Sequence, residues 1–381
     1  MKEQYVILTG GKNNAGDHLI KDRAKSLFKW LKPERKIIDF NGWERLSDAQ
    51  LEEINQSKAL LFVGGPALQN KMVPNVYALR EKLDEIKVPM ATMGIGWYSK
   101  KGEWADTYKY KLDIKTLELL TRINNSGIKS SVRDYHTLNV LKSKGFENFI
   151  MTGCPALYSK EHIGSTLNKP KKFKRIGYSL GVSPKTSESM FRQMKDVLLL
   201  MQEKFPAAEI KTVFHHSPSP KYLESHGANL NLYKFHNRFL NWLQQNNFDH
   251  IDISGGATEM HNYYSDIDFH IGYRVHAHIL MSSQSKPSIL LSEDGRGKAL
   301  SQVLGGITLD AYEAINESLF MKGLNKFGVR IIDNIAPNHH LVDDLSHTLD
   351  YESKTGIKFY QPRVEINRHF EVMKNFIANL P

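Results

Sequence analysis

Arg274 and His276 are the residues of this chain whose types and spacing best suit catalysis. They follow an apolar, β-prone run at residues 269–272 and open a helical pattern that continues to residue 283. Arginine carries a fixed charge on a planar fork that matches a carboxylate or a phosphate. A histidine in the first helical turn could act as a general acid or base near neutral pH. The competing interpretation is a structural arginine that bridges two loops, beside a packed histidine.

A glycine-rich segment near the N-terminus is the second candidate site. It reads Gly10-Gly11-Lys12-Asn13-Asn14-Ala15-Gly16-Asp17 and lies between a strand pattern and a helical pattern. Glycine lets the backbone approach a ligand closely, and free amides at a helix start attract anions and hydroxyls. We therefore predict that substrate is bound by Gly10, Gly11, Asn13, Asn14 and Asp17. Asp17 could instead cap a helix that begins at His18.

Other strand patterns also end in glycine or in charge. Gly65 and Gly96 each follow an apolar run, and we predict that both line the same crevice as the first loop. For Arg133 and Asp134 the prediction is structural: Asp134 caps the following helix, and Arg133 pairs with a carboxylate. Lys298 follows a later strand pattern and is predicted to bind substrate at the cleft edge, with a solvated loop as the alternative.

The histidines do not form a metal-binding pattern. His276 and His278 are two residues apart, and side chains at that spacing do not face each other on a helix. The adjacent pairs His215-His216 and His339-His340 also point apart, and no HExxH motif occurs. We therefore expect no protein-ligated metal, and no cofactor is predicted.

The elements that position these residues alternate between strand and helix patterns, which is typical of βαβ units and parallel sheets. The alternation restarts after a short basic, proline-containing stretch at residues 168–175, which is predicted to be a linker. The predicted fold class is α/β, with two Rossmann-like domains that face each other across a cleft. We expect an acceptor-side domain at 1–167, a donor-side domain at 176–345, and a C-terminal helical segment at 346–381 that packs back across the junction.

The amino-acid composition limits the kinds of partner molecule that this chain is expected to bind. The chain has 381 residues, 41% hydrophobic and 24% charged, with one cysteine and a net charge of +10. No apolar run is long enough to span a bilayer, and the first residues lack a signal-peptide pattern, so a cytoplasmic location is expected. The positive charges are spread along the chain without an arginine-rich block, which argues against nucleic acid. A peripheral contact with an anionic membrane surface stays open, as does the oligomeric state.

Taken in order, these segments resemble the polysaccharide pyruvyl transferase family. The matching segments are residues 10–17, 64–68, 94–96, 131–134, 153–156, 274–276, and 298 followed by 304–305. The resemblance implies a GT-B-like fold. It also implies transfer of the enolpyruvyl moiety of phosphoenolpyruvate to two hydroxyls of a sugar, which forms a pyruvate ketal and releases phosphate. The family's Arg-x-His pair maps onto Arg274 and His276, which places both at the carboxylate or phosphate of the donor.

One position departs from the family pattern. Many members carry an arginine just after the first strand of the second domain, whereas here Lys185 is the nearest cation. We predict that Lys185 supplies a second positive contact to the donor, with Arg296 or Lys298 from across the cleft as further candidates. An exposed lysine on a loop is the alternative interpretation.

The predicted function is therefore a transferase with phosphoenolpyruvate as donor and a saccharide of a polysaccharide or glycan precursor as acceptor. Two other classes stay open. One is a GT-B glycosyltransferase with a nucleotide-sugar donor, in which Glu293 or Asp294 would contact the ribose. The other is a non-catalytic glycan-binding relative.

Overall fold

The computed structural model describes residues 1–11, 15–181, 186–219, 230–254, 256–314 and 335–381 of the chain. In the first part, short strands alternate with helices, as the sequence pattern predicts. In chain order the elements are β1 (Gln4–Thr9), α1 (Ala15–Leu31), β2 (Lys36–Asn41), α2 (Asp48–Asn55), β3 (Ala59–Val63), α3 (Met72–Asn75), β4 (Met90–Met93), α4 (Trp104–Tyr108), α5 (Ile114–Asn124), β5 (Ser130–Val132), α6 (Tyr135–Lys142) and β6 (Phe149–Met151).

The first sheet is parallel, with strand order β2-β1-β3-β4. The parallel pair β5–β6 extends it, because Ile95 bridges to Val132 and the Gly94 N–H donates to the Ser131 carbonyl at 3.0 Å. The central strands β1 and β3 are buried along their whole length, as is usual where helices cover both faces of a sheet. The strand order changes direction between β1 and β3, and ligands bind beside such a switch at the carboxyl ends of the strands.

The second part repeats the same construction. Its elements are β7 (Arg175–Ser179), α7 (Glu188–Lys204), β8 (Glu209–Phe214), α8 (Leu230–Gln245), β9 (His250–Asp252), α9 (Ala257–Asp266), β10 (Phe269–Gly272), α10 (Val275–Ser283), β11 (Ser288–Ser292), α11 (Gly295–Leu304), β12 (Ile307–Asp310), β13 (Tyr312–Ala314), β14 (Ile335–Pro337), α12 (Leu341–Thr355) and α13 (Ile357–Ala378). The main sheet is six-stranded and parallel, in the order β12-β11-β10-β7-β8-β9. Its switch point lies between β7 and β10.

Helix α10 connects the two halves. Every residue from His276 to Ser283 is buried, which is typical of a helix that is covered on all sides. α10 packs against β11 and α9 of its own half and against the 3-10 turn Pro155–Leu157 of the other half. The switch points of both sheets therefore open toward the junction. The predicted α/β fold with two Rossmann-like domains across a cleft is confirmed.

The C-terminal segment packs back across this junction, as predicted. α13 contacts α1 of the first half and α10 and α11 of the second. The Trp30 and Phe370 rings stack at 5.0 Å, and the Lys32 ammonium donates to the Ala378 carbonyl at 3.0 Å. The segment contains two helices that meet at Gly356, and α12 begins at Leu341, before the predicted boundary at residue 346. In the described ranges, no helix is long and apolar enough to cross a membrane.

The predicted linker at 168–175 lies between β6 and β7, and β7 begins at Arg175. The domain boundaries themselves stay a prediction.

Candidate functional site

The junction brings His276 against the first helix of the chain. A Cβ atom on Gly16, in the first turn of α1, would lie 1.9 Å from Nδ1 of His276. The His276 side chain is buried, and its Nε2 has no hydrogen-bond partner within the described part of the chain. Such a buried polar atom calls for an explanation, and a bound substrate is one.

The charges of three arginines act on this histidine. Burial lowers the pKa of His276 well below its usual value, and the charges of Arg296, Arg133 and Arg274 lower it further. Arg274 and Arg296 follow β10 and β11 of the second half, whereas Arg133 follows β5 of the first half. The imidazole is therefore neutral near pH 7 and lies in a positively charged environment to which both halves contribute. We call these four side chains the arginine cluster.

Arg274 is positioned by the strand ends of the second sheet. It occupies the N-cap position of α10, and its backbone N–H donates to Oγ of Ser179 at 3.2 Å. The side chain is buried, and burial lowers the pKa of Arg274 to about 10, although the charge of Glu293 opposes that shift. The guanidinium keeps its proton at neutral pH, and its location between β7 and β10 is the switch point of the sheet.

A buried chain of hydrogen bonds fixes Ser179, the residue that accepts a hydrogen bond from the backbone N–H of Arg274. Ser179 Oγ lies 2.8 Å from Nε2 of His270, and Nδ1 of His270 lies 2.8 Å from Oγ of Ser288. That hydroxyl also contacts Nδ1 of His278 at 2.8 Å. Burial lowers the pKa of His270 and His278, so both rings are neutral and can act as donor on one nitrogen and acceptor on the other. His278 is thus a structural residue.

Arg296 is held by the residue that caps its own helix. Oδ1 of Asp294 accepts from the Arg296 backbone N–H at 2.9 Å, which caps α11. Both carboxylate oxygens of Asp294 also accept from the guanidinium, at 2.7 to 3.1 Å. The Asp294 carboxylate is therefore engaged with Arg296, which argues against the predicted alternative that it contacts a ribose. The pair raises the pKa of Arg296 and orients its fork.

The Arg133 side chain packs on Gly96, three residues after the end of β4. A Cβ atom on Gly96 would lie 1.9 Å from Nε of Arg133, so glycine is required for this contact. The predicted neighbours are present: Asp134 caps α6 through Thr137 at 2.7 Å and lies 3.5 Å from Arg133. Arg133 Nη2, however, is buried without a partner in the described ranges. The ion pair with Asp134 therefore does not satisfy the whole guanidinium.

The first sheet has its own cavity at the carboxyl ends of β1 and β3. It measures about 150 Å³, and its lining includes Gly10, Gly11, Asp17 and Gly65, four of the predicted binding residues. The Asp17 carboxylate lies against Gly11, where a Cβ atom would be 2.0 Å from Oδ2. α1 begins at Ala15, so Asp17 lies inside its first turn, and the alternative that Asp17 is the N-cap of a helix from His18 is wrong.

Comparison with known proteins identifies the family. A sequence model of the family described as polysaccharide pyruvyl transferase matches residues 14–295, which is well over half of the chain. The chain belongs to the polysaccharide pyruvyl transferase family. Membership supports a transferase role in polysaccharide biosynthesis. No curated protein matches the sequence as a relative.

Solved structures similar to this pyruvyl transferase family member include a UDP-GlcNAc 2-epimerase, a putative enzyme of the same kind, and MnaA with UDP. UDP-GlcNAc 2-epimerase from Neisseria meningitidis, bound to UDP-GlcNAc, is 9% identical over 98% of this chain and 99% of its own, with a TM-score of 0.51. A putative enzyme of that name from Listeria monocytogenes is 12% identical over 99% and 97%, with a TM-score of 0.47. MnaA of S. aureus with UDP is 14% identical over 100% and 99%, with a TM-score of 0.49. At 9% identity, the similarity to the Neisseria meningitidis enzyme shows the fold alone.

Four other predicted residues do not contribute to the described part of the site. Asn13, Asn14 and Lys185 lie outside the described residues. Lys298 faces a different cavity, and its ammonium lies 3.5 Å from the Asp310 carboxylate. The separation from Arg296 follows from spacing, because side chains two residues apart on a helix point in different directions.

Sequence analysis did not connect Arg133 or Arg296 with His276, whose pKa both of their charges lower. The signal for both was present: each follows a parallel strand at its carboxyl end, as Arg274 does.

Proposed function

We propose that this protein transfers pyruvate from phosphoenolpyruvate to a saccharide acceptor of a polysaccharide or glycan precursor. The product is a pyruvate ketal, and phosphate is released. The observation that carries the proposal is the arginine cluster, in which the charges of three arginines from two halves of the chain act on one buried neutral imidazole that packs against Gly16. Family membership supplies the reaction class.

The cluster suits a small donor with several negative charges. Phosphoenolpyruvate has a phosphate ester and a carboxylate attached to the same carbon, and each matches the fork of a guanidinium. Arg274 and Arg133 are both buried, so their charges are screened less than exposed charges would be. We assign the donor anions to Arg274, Arg296 and Arg133, which supply the cations that the sequence lacks after β7.

The transfer of the two hydroxyl protons of the acceptor defines the role that we assign to His276. Two hydroxyl protons must leave the acceptor: one ends on the methylene carbon of the donor, which becomes a methyl group, and the other leaves with phosphate. A neutral imidazole whose pKa is lowered by burial and by arginine charge can accept a hydroxyl proton and pass it on. Once the donor is bound, its negative charge offsets the arginines and raises the pKa of His276, so the ring holds that proton more readily. The arginines also stabilise negative charge on the departing phosphate.

The acceptor sugar would enter from the first sheet. Its glycine-lined cavity includes Gly10, Gly11, Asp17 and Gly65, where backbone amides and a carboxylate can bind hydroxyls. Gly16, one residue before Asp17, contacts His276, so a hydroxyl bound near Asp17 would lie close to the base. Two hydroxyls add to the same carbon, so the acceptor should present a closely spaced diol.

Calorimetric titration of phosphoenolpyruvate into the wild type and Arg274→Lys tests the donor. Lysine keeps the charge but loses the fork, and a charge-assisted contact is worth about 1.5–3 kcal/mol, so affinity should fall about ten- to a hundredfold. Lys115→Ala removes an exposed charge on α5 and serves as the control with unchanged affinity. Binding of a nucleotide sugar, with no binding of phosphoenolpyruvate to the wild type, would reject the proposal in favour of a glycosyltransferase.

A further inference from the structure

A second cavity lies at the carboxyl end of β12, between the two halves of the chain. Its volume is about 670 Å³, within the range of about 300–1,000 Å³ that is usual for ligand pockets. The first half contributes Trp104 and His136 to its wall. The second half contributes polar side chains, namely Lys298, Ser301, Gln302, Thr308, Asp310, Asn338 and Asp344. The arginines of the cluster are absent from this lining.

We propose that this cavity, which we call the Trp104 cavity, binds a neutral saccharide unit of the acceptor glycan, other than the unit that receives pyruvate. The assignment of an acceptor glycan rests on the proposed function. The binding of a neutral saccharide is a separate claim, which can be measured without the reaction.

The aromatic wall of the cavity is held in place by other rings. The Trp104 side chain is 45% exposed, and its ring meets His136 edge-on at 4.6 Å and 71°. His136 in turn stacks on the buried Trp97 at 5.3 Å. An indole that is exposed yet braced offers a flat apolar surface, on which the C–H face of a sugar ring can pack at little conformational cost.

The polar wall carries one cation, Lys298, and two carboxylates, Asp310 and Asp344. Lys298, Ser301 and Gln302 share one face of α11, since residues three and four apart are neighbours on a helix. Lys298 pairs with Asp310 at 3.5 Å, and the Asn338 amide donates to the Asp310 carbonyl at 2.9 Å. Because Asp310 offsets Lys298 and Asp344 adds a further negative charge, the wall suits hydroxyl groups, which both donate and accept, rather than an anion such as the donor.

Two polar atoms of the wall lack partners. His136 Nδ1 and Thr308 Oγ1 are buried, and within the described ranges neither has a hydrogen-bond partner. Burial also lowers the pKa of His136, so the ring is neutral near pH 7 and adds no charge. The residues that line the cavity thus include, on both sides of the junction, buried polar atoms that no described protein group satisfies.

The Trp104 cavity adjoins the arginine cluster across one shared wall. A Cβ atom on Gly102, which lines the cavity, would lie 2.3 Å from the Cα atom of Gly295, and the Gly295 N–H donates to the Ser99 carbonyl at 2.9 Å. Gly295 begins α11, whose first turn also carries Arg296. A glycan that passes this contact would therefore present one unit to the cluster and another to Trp104.

An array of defined neutral and acidic oligosaccharides, probed with fluorescently labelled protein, tests the assignment. Wild type should retain a set of neutral glycans, and Trp104→Ala should reduce that retention at least tenfold. Tyr108→Ala is the matched control, because Tyr108 is an exposed ring on the same helix outside the cavity lining, and it should retain the same glycans. Ser301→Trp, which fills the cavity from α11, should reproduce the loss without removing an aromatic residue.

Melting temperature and calorimetric affinity for phosphoenolpyruvate are measured on the same variants. Loss of neutral glycans with unchanged donor affinity supports the cavity assignment. Absence of neutral glycans on wild type, retention of acidic glycans alone, or undiminished retention by Trp104→Ala or Ser301→Trp would overturn it. Failure of every protein to bind phosphoenolpyruvate while neutral glycans are retained would contradict the proposed donor and leave the saccharide site standing.

Discussion

The imidazole of His276 lies in direct contact with the α-carbon of Gly16, across the junction of the two sheets. A Cβ atom at Gly16 would lie 1.9 Å from Nδ1, far inside any normal contact distance. The start of α1 therefore sets the position of the proposed base, although the two residues are separated by most of the chain. Glycine at this position is required by space rather than by backbone conformation.

Gly16→Ala should lower kcat/KM at least tenfold, because the added methyl group must displace the ring. Overpacking of this kind costs about 1–3 kcal/mol, and alanine in a helix recovers up to about 1 kcal/mol, so the melting temperature should fall only modestly. Phosphate release and thermal melting measure the two effects. Gly127→Ala is the control, since Gly127 has a φ of +79° and open space around it, and it should lose stability with activity intact. Full activity in Gly16→Ala would show that the contact does not matter.

Arg133→Lys tests whether the first half contributes to the donor site. Arg133 Nη2 is buried and lacks a partner in the described ranges, so we assign it to a ligand anion. Lysine has no planar fork, and calorimetry should show phosphoenolpyruvate binding weakened about tenfold. Arg122→Lys is a matched control, because Arg122 is a partly buried arginine whose Nη2 donates to the Ile86 carbonyl at 2.8 Å. Equal affinity of Arg133→Lys and wild type would remove Arg133 from the site.

The sequence could predict the strand ends but not how they meet. Gly10, Gly65 and Arg274 were identifiable because each follows an apolar run, and parallel strands expose their carboxyl ends on one edge. The helix start at Ala15 was missed because Ala15 and Gly16 do not extend the apolar stripe that begins at Leu19.

The arginine cluster forms only because the two sheets dock against each other, and no local sequence pattern predicts that docking. From sequence alone, Arg133 was predicted only to pair with a carboxylate, and Arg296 was only one of two further candidates for the donor contact. In the structure Arg133 lies 3.5 Å from Asp134 and Arg296 pairs with Asp294, and the charges of both arginines also act on His276 from opposite halves. Lys298 is only two residues from Arg296 in sequence. That spacing places it on another face of α11, where it lines a different cavity.

Donor binding should be linked to proton uptake at His276. Burial and three arginine charges lower the pKa of the free imidazole, and an anionic donor offsets those charges and raises the pKa in the complex. Affinity should therefore increase as the pH falls through the window between the two pKa values. Calorimetry in buffers of different ionisation enthalpy counts the protons taken up. His276→Asn should lose this uptake while the donor's own phosphate titration remains, and identical uptake in both proteins would contradict the linkage.

Acid should destabilise this fold through histidines that are buried in the neutral state. Burial lowers the pKa of His236 and of His278 to about 4, whereas the ring in an unfolded chain titrates near 6.5. Between those values the unfolded chain binds more protons, so the free energy of unfolding falls as the pH drops from about 6.5 toward 4 and levels off below. At pH 5 each ring should account for a loss of about 2 kcal/mol relative to pH 8. Denaturant unfolding at both pH values should give a smaller difference in His236→Asn, whereas His347→Asn, at an exposed position, should match wild type. An unchanged pH difference in His236→Asn would show that His236 is not a source of the acid sensitivity.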